Sequence, residues 1–425
     1  MASLRLTILK PPLDEQRYSC HGCGNCCRDF TVQLRDDDIE RLNAQGWTEK
    51  LGESPIVEFR GTRFLKQRDD GACIFWMEDG RCAIHAEFGY EAKPIACQMF
   101  PFSLTPVEGG AMMGINFACQ SVLENKGAAL PTHERELRRM AGRLPEVRSL
   151  ERPPMLTNTL RAAPIEVEAI RNGIDGWLAR RHELPLQTRL DGLAWLIGSL
   201  HQAQLEHVRE ERFVELFATL LSALPAELEL VEIDPIGRTR MRLLRQAAFA
   251  RTEDPKISSI ATRNRIAVVF GQWLRSRRFA SGRGTAPHIA EEWPDNVNLR
   301  EVETVGPAEN EAETAAIDDL MTRWLRATVL GSRTWGAGYY GWPIVAGLSS
   351  MMLNVAVVSW LARLHARGNG RDGITIVDVR AALSRVDRAS GRALWLGTSA
   401  EGMRVRYLAR DHGLRSLVAA FPLVA

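Results

Sequence analysis

The sequence predicts an α+β protein, a small cysteine-rich module followed by a larger, mostly all-α domain. Three observations carry that expectation. All eight cysteines of the 425-residue chain lie between Cys20 and Cys119. The stretch up to about residue 125 mixes short extended segments with turn signals, whereas beyond it apolar residues recur at helical spacing. At roughly 100 to 200 residues per domain, the length suits two or three domains. The expected units are therefore 1–125 and 126–425, with a polar Gly/Pro-containing stretch at 277–309 as a candidate subdomain joint.

The N-terminal module reads as short elements joined by tight turns. Leu4 to Leu9 alternates like a strand that Pro11-Pro12 stops, and Phe30 to Leu34 reads as a second strand. Asp36-Asp37-Asp38 opens a helix, with Asp36 as N-cap and acids in the first turn, so the acid run is capping chemistry. Ile56 to Leu65 suggests a strand or hairpin. Asp69-Asp70-Gly71 and Glu78-Asp79-Gly80 are turn signals immediately before Cys73 and Cys82.

The remainder reads as helices. Leu190, Leu193, Ala194, Ile197, Leu200, Leu205 and Val208 form one apolar stripe, which Phe213 to Leu224 continue until Pro225. Ile257, Ile260, Ile266, Val269, Phe270 and Trp273 predict another helix with its aromatics in the core. Asn310 with Glu313 suggests a capping box ahead of Ile317, Leu320, Trp324 and Leu325. Ile374 to Leu383 and Arg404 to Phe421 predict further helices. Thr334 to Ala362 carries no formal charge and is long enough to span a bilayer. Its serines, Asn354 and the helical spacing of its largest apolar residues favour a buried helix instead.

Composition narrows the function classes. With 45% hydrophobic residues, 25% charged and a formal net charge of +2, the chain is neither disordered nor a generally basic binder. No nucleic-acid partner is expected, and a membrane partner is disfavoured. The N-terminal apolar stretch is too short for a secretion signal, so the expected compartment is the cytoplasm. There, clustered cysteines read as metal or redox ligands rather than as a disulfide framework.

The first cluster is Cys20-His21-Gly22-Cys23-Gly24-Asn25-Cys26-Cys27, and Cys73, Cys82, Cys97 and Cys119 follow. Two-residue spacers let successive thiolates converge on one centre, and the glycines permit the tight backbone such a loop needs. All eight cysteines are candidate metal ligands. Adjacent Cys26 and Cys27 are expected to point in different directions, and His21 and His85 to be exposed or packed rather than ligating. The Cys20, Cys23, Cys26 spacing matches three ligands of a bacterial ferredoxin site, but Phe30 stands where the fourth would be. Thiolate-rich sites suit zinc equally well. Gly336-Ala-Gly338-Tyr-Tyr-Gly341 matches the dinucleotide-binding pattern in letters only, since it follows a helix and has no acid about 20 residues on.

In order, Cys20-x2-Cys23-x2-Cys26-Cys27, Val32-Gln-Leu with Asp38-Ile-Glu-Arg-Leu, Cys73-Ile-Phe, Cys82-Ala-Ile-His and Lys93-Pro94-x2-Cys97-x2-Phe100-Pro101 resemble the YkgJ-type CxxCxxCC family over roughly residues 16 to 105. The resemblance implies a chelated zinc or iron, or an iron–sulfur cluster such as 4Fe-4S. Lys93 stands where the family usually has arginine, and His85 where it has an aromatic, which makes His85 a candidate ligand too. A more distant similarity is to flagellin lysine-N-methylases, which implies S-adenosylmethionine and methyl transfer to a protein substrate. No catalytic residue is assigned. Three functions are therefore expected in order: an iron–sulfur (or zinc) protein whose helical domain binds substrate or partner, a protein-lysine methyltransferase, and a non-catalytic zinc-stabilised interaction module.

Overall fold

The computed structural model describes residues 6–7, 15–59, 61–144, 152–230, 232–253, 266–290 and 292–425. Its strands are short and all lie before residue 130, and a larger helical region follows. A three-stranded sheet runs in the order Leu6–Thr7, Gly110–Ile115, Phe102–Val107, with the first pair parallel and the second antiparallel. Of the expected Leu4 to Leu9 strand, only Leu6–Thr7 falls among the described residues, and Pro11-Pro12 lies outside them. Ile56–Phe59 and Thr62–Leu65 form the expected hairpin. It covers a small core of Leu34, Leu42, Trp47, Leu65, Phe75 and Ile84.

Phe30 to Leu34 is not a continuous strand. It lies beside the hairpin through Leu34 N to Arg63 O (2.8 Å) and Leu65 N to Val32 O (2.9 Å), but only Gln33 makes a bridge. A helix at Asn25–Asp29 immediately before it leaves too few residues to extend the pairing. The acid run does cap a helix, but the N-cap is one position earlier than the expected Asp36. Arg35 is the N-cap of Asp36–Ala44, and the carboxylate of Asp38, the third residue of the helix, accepts from Arg35 N at 3.2 Å. The other oxygen of that buried carboxylate accepts from Ile95 N at 3.0 Å, which pins the helix to the segment bearing Cys97.

The helical part is built around Ile344–Gly368, a 25-residue helix long and apolar enough to cross a membrane by composition. In the fold, 94% of its most apolar window is buried inside the protein. Each polar residue that interrupts it has an internal partner. Ser349 Oγ donates to Val345 O (2.8 Å), Ser350 pairs with the Tyr339 hydroxyl (2.8 Å), Asn354 Oδ1 accepts from Arg251 Nε (2.5 Å), and Ser359 Oγ donates to Phe421 O (2.7 Å). Against this helix pack Leu186–Gln202, Arg238–Thr252, Ile376–Ala389 and Ser399–Ala409. One hydrophobic cluster takes in both sequence segments, from Ile95, Met113 and Leu123 through Trp324 to Val424.

Three expectations change here. The Phe213 stripe belongs to a helix, Glu211–Leu230, that runs through position 225. Proline's fixed φ is compatible with helix, and burial of Phe213, Phe217 and Leu224 offsets the lost N–H bond. Phe270 and Trp273 are exposed on Ile266–Ser281, stacked on each other at 5.7 Å, not buried in the core. Ile257 and Ile260 lie outside the described residues. The capping box at Asn310 is half made: Asn310 Oδ1 accepts from Ala312 N and Glu313 N, but Glu313 turns away to accept from Ile376 N at 2.5 Å. Asn310→Ala is therefore expected to cost about 0.5–2 kcal/mol, read as a lower denaturation midpoint with unchanged denaturant slope.

Candidate metal centre

Seven of the eight cysteines line one cavity of about 400 Å3: Cys20, Cys23, Cys26, Cys27, Cys82, Cys97 and Cys119. They arrive on five short segments. Cys20 and Cys23 sit in the irregular loop that leaves Arg17–Tyr18, a strand paired with Ala128–Ala129. Cys26 and Cys27 open the helix Asn25–Asp29, so that both face the cavity although they are adjacent in sequence. Cys82 and Cys119 are the N-cap residues of Ala83–Phe88 and Gln120–Leu123, and Cys97 lies within Ile95–Met99.

The backbone that makes this convergence is narrow in what it accepts. Gly22 and Gly24 have φ of 69° and 75°, the left-handed region that glycine enters without penalty. A Cβ on Gly24 would stand 2.5 Å from Trp76 Nε1, and one on Gly80 would stand 2.6 Å from the carbonyl oxygen of Gly22. Gly24→Ala is thus expected to cost about 1–3 kcal/mol from strain and overlap and to release metal more readily than the parent. Thermal unfolding together with chelator titration measures both effects.

No two of the eight cysteines are joined in a disulfide. Burial pushes Cys119 up to about 12 and raises Cys97 and Cys23. Cys26 is raised by its hydrogen bond with Cys27 and by burial. Without a cation these thiols keep their protons, so metal binding must release them and strengthens as pH rises. One ammonium shares the cavity. Burial works against the charge on Lys93, but the surrounding Cys97, Cys82, Cys26 and Cys20 more than offset it and raise its pKa. It would balance the negative charge of a thiolate-bound metal. The thiols are spread over the walls: among the described residues, no three of His, Cys, Asp and Glu are already gathered as ligands of one ion. The donor chemistry nonetheless fits a thiophilic metal or cluster.

Cys73 is placed apart from the other seven. It belongs to the small core beside Phe75 and Ile84, and its amide donates to Cys27 O at 2.7 Å. Burial pushes its thiol up to about 12. The turn before it forms as expected, closed by a bridge between Gln67 and Cys73, and this bridge sets the residue into the core. His21 and His85 line the cavity and are exposed, as expected of them. Nδ1 of His21 lies 2.6 Å from Ser121 Oγ, and the His85 ring meets Tyr90 edge-on at 5.9 Å.

Residues 19–125 match the CxxCxxCC family. The description attached to that family is "Putative zinc- or iron-chelating domain", and the matched segment spans about a quarter of the chain. The CxxCxxCC segment contains every cysteine that lines the cavity, and the match supports a metal-binding role. An uncharacterized protein of Methanocaldococcus jannaschii, MJ0939, is 29% identical over 110 residues, which are 26% of this chain. The chain covers 38% of that relative's length. No solved structure matches.

Several cavity residues carried no signal that spacing could expose. Tyr18 and Tyr90 wall the cavity, and burial raises the pKa of both hydroxyls. Tyr90 donates to Gln98 O at 2.5 Å. Lys93 stood out in sequence only as a departure from the family's arginine. Its place four residues before Cys97, next to Pro94, was the available clue.

Proposed function

We propose that the CxxCxxCC segment holds an iron–sulfur cluster through four of the seven cavity thiols, and that the helical part presents substrate or partner to it. The observation that carries this reading is the coincidence of seven unbridged cysteines with a cavity of about 400 Å3. A structural zinc is a closed tetrahedron that leaves no room around it, whereas a polynuclear cluster occupies volume and takes four cysteines. Binding would draw thiols inward from the walls and displace their protons. Eight cysteines clustered within about a hundred residues, read as metal ligands, suit a reducing, cytoplasmic compartment.

Zinc is the second reading, favoured by the same thiols and by the two-residue spacers of the first loop. Methyl transfer from S-adenosylmethionine to a protein lysine rests on resemblance, and titration of the metal-loaded chain with that cofactor tests it. The test between cluster and zinc is the response to air and chelator. Anaerobically purified protein is expected to be coloured and to bleach in air. A colourless protein that is indifferent to oxygen and unfolds when chelated would overturn the cluster reading in favour of zinc.

A further inference from the structure

A cleft of about 430 Å3 opens in the helical part, within the size range of small-molecule sites. It lies where three helices meet. His201 enters it from the end of Leu186–Gln202, and Pro343 and Ala346 enter from the start of Ile344–Gly368. Gly402, Met403 and Arg406 enter from one face of Ser399–Ala409. The cleft shares no lining residue with the thiol cavity.

Its walls carry basic groups and no carboxylate. Arg406 is exposed and makes no ion pair among the described residues. His201 is half-buried beside it. Burial, and then the charges of Arg406 and Arg410, hold the His201 imidazole below its usual pKa. The ring thus sits in a positive potential that no acid in the wall answers. An anion held by Arg406 and His201 would remove that repulsion. Trp342, Pro343, Ala346 and Met403 supply an apolar wall, and none of them is fully buried. Gly402 stands against this wall. Glycine inside a helix is unfavourable and is usually explained by close packing. A Cβ at Gly402 would meet only Trp342, at 3.9 Å, which is ordinary contact. This glycine therefore admits no close neighbour and instead leaves space beside the indole ring.

We propose that this cleft binds a small molecule with an apolar body and a carboxylate head. The body lies against Trp342 and Gly402, and the head rests on Arg406 and His201. A guanidinium pairs with a carboxylate through two parallel hydrogen bonds, and a neutral imidazole donates one more. The site goes beyond the metal reading and does not rest on it.

The test is calorimetric titration of the purified full chain with phenylacetate and octanoate, and with phenylacetamide and octanamide as their uncharged counterparts. Saturable one-to-one binding of at least one acid is expected, tighter than its amide by about tenfold or more. Arg406→Gln should remove most of that preference, and because the side chain is exposed the variant should fold as the parent does. Gly402→Leu raises helix propensity and fills the space beside Trp342, so it should abolish binding of acid and amide alike. Arg300→Gln, an exposed arginine outside the cleft, should change neither. The proposal is overturned if neither acid saturates, if acid and amide bind equally, or if Gly402→Leu leaves binding unchanged. Metal content of the same preparations should match the parent's, because the two cavities share no lining residue, and the cluster reading therefore stands or fails separately.

Discussion

With Cys20, Cys23, Cys26 and Cys27 replaced together by serine, the protein is expected to purify without its metal, while Cys73→Ala is expected to keep it. The fourfold variant leaves only Cys82, Cys97 and Cys119 on the cavity, one thiol short of a four-cysteine site. Loss of a group that merely orients a ligand costs about 10–100-fold in metal affinity, so loss of four thiols should exceed about 100-fold. Cys73 faces the small core instead. Its replacement by alanine should lower stability by about 1–2 kcal/mol from the space left behind, without changing metal content. Metal-to-protein ratios of the two variants against the parent check this. Metal lost from Cys73→Ala at full folding would mean that Cys73 reaches the site.

Asp387→Ala is expected to unfasten the two sequence segments from each other. Its buried carboxylate accepts from Phe117 N at 2.7 Å and Trp324 Nε1 at 3.1 Å, and pairs with Arg333 at 3.3 Å. Removing it leaves two buried N–H groups and a largely buried guanidinium without this acceptor, worth about 3–5 kcal/mol. Phe117 lies two residues before Cys119, so the same change should loosen the cavity wall at that thiol. A lowered unfolding midpoint together with faster metal loss to chelator is the expected pair of results. Asp387→Asn, which retains an acceptor oxygen, should lose less of both. Gln16 makes a comparable fastening on the other side, accepting from Arg323 Nη1 at 2.7 Å.

What was legible in the sequence was local. The Asp36 acids, the Ile56 to Leu65 hairpin, the Asp-Gly turns before Cys73 and Cys82, and the stripe of Leu190 to Leu200 each formed because the signal and the structure lie within a few residues. The four-cysteine loop was legible for the same reason. What the sequence did not disclose depends on partners far along the chain. Cys73 and Cys82 both follow a turn, and only packing against Leu34, Leu42 and Trp47 sends the first inward. The Asp387 tie spans 270 residues. Periodicity marks Phe270 and Trp273 as apolar positions on a helix, but it cannot say whether another element covers that face.

Iron and acid-labile sulfide counts on anaerobically purified protein decide whether the cavity of seven thiols holds the proposed iron–sulfur cluster. A cubane cluster predicts about four irons and four sulfides per chain. One zinc per chain with no sulfide would contradict the claim.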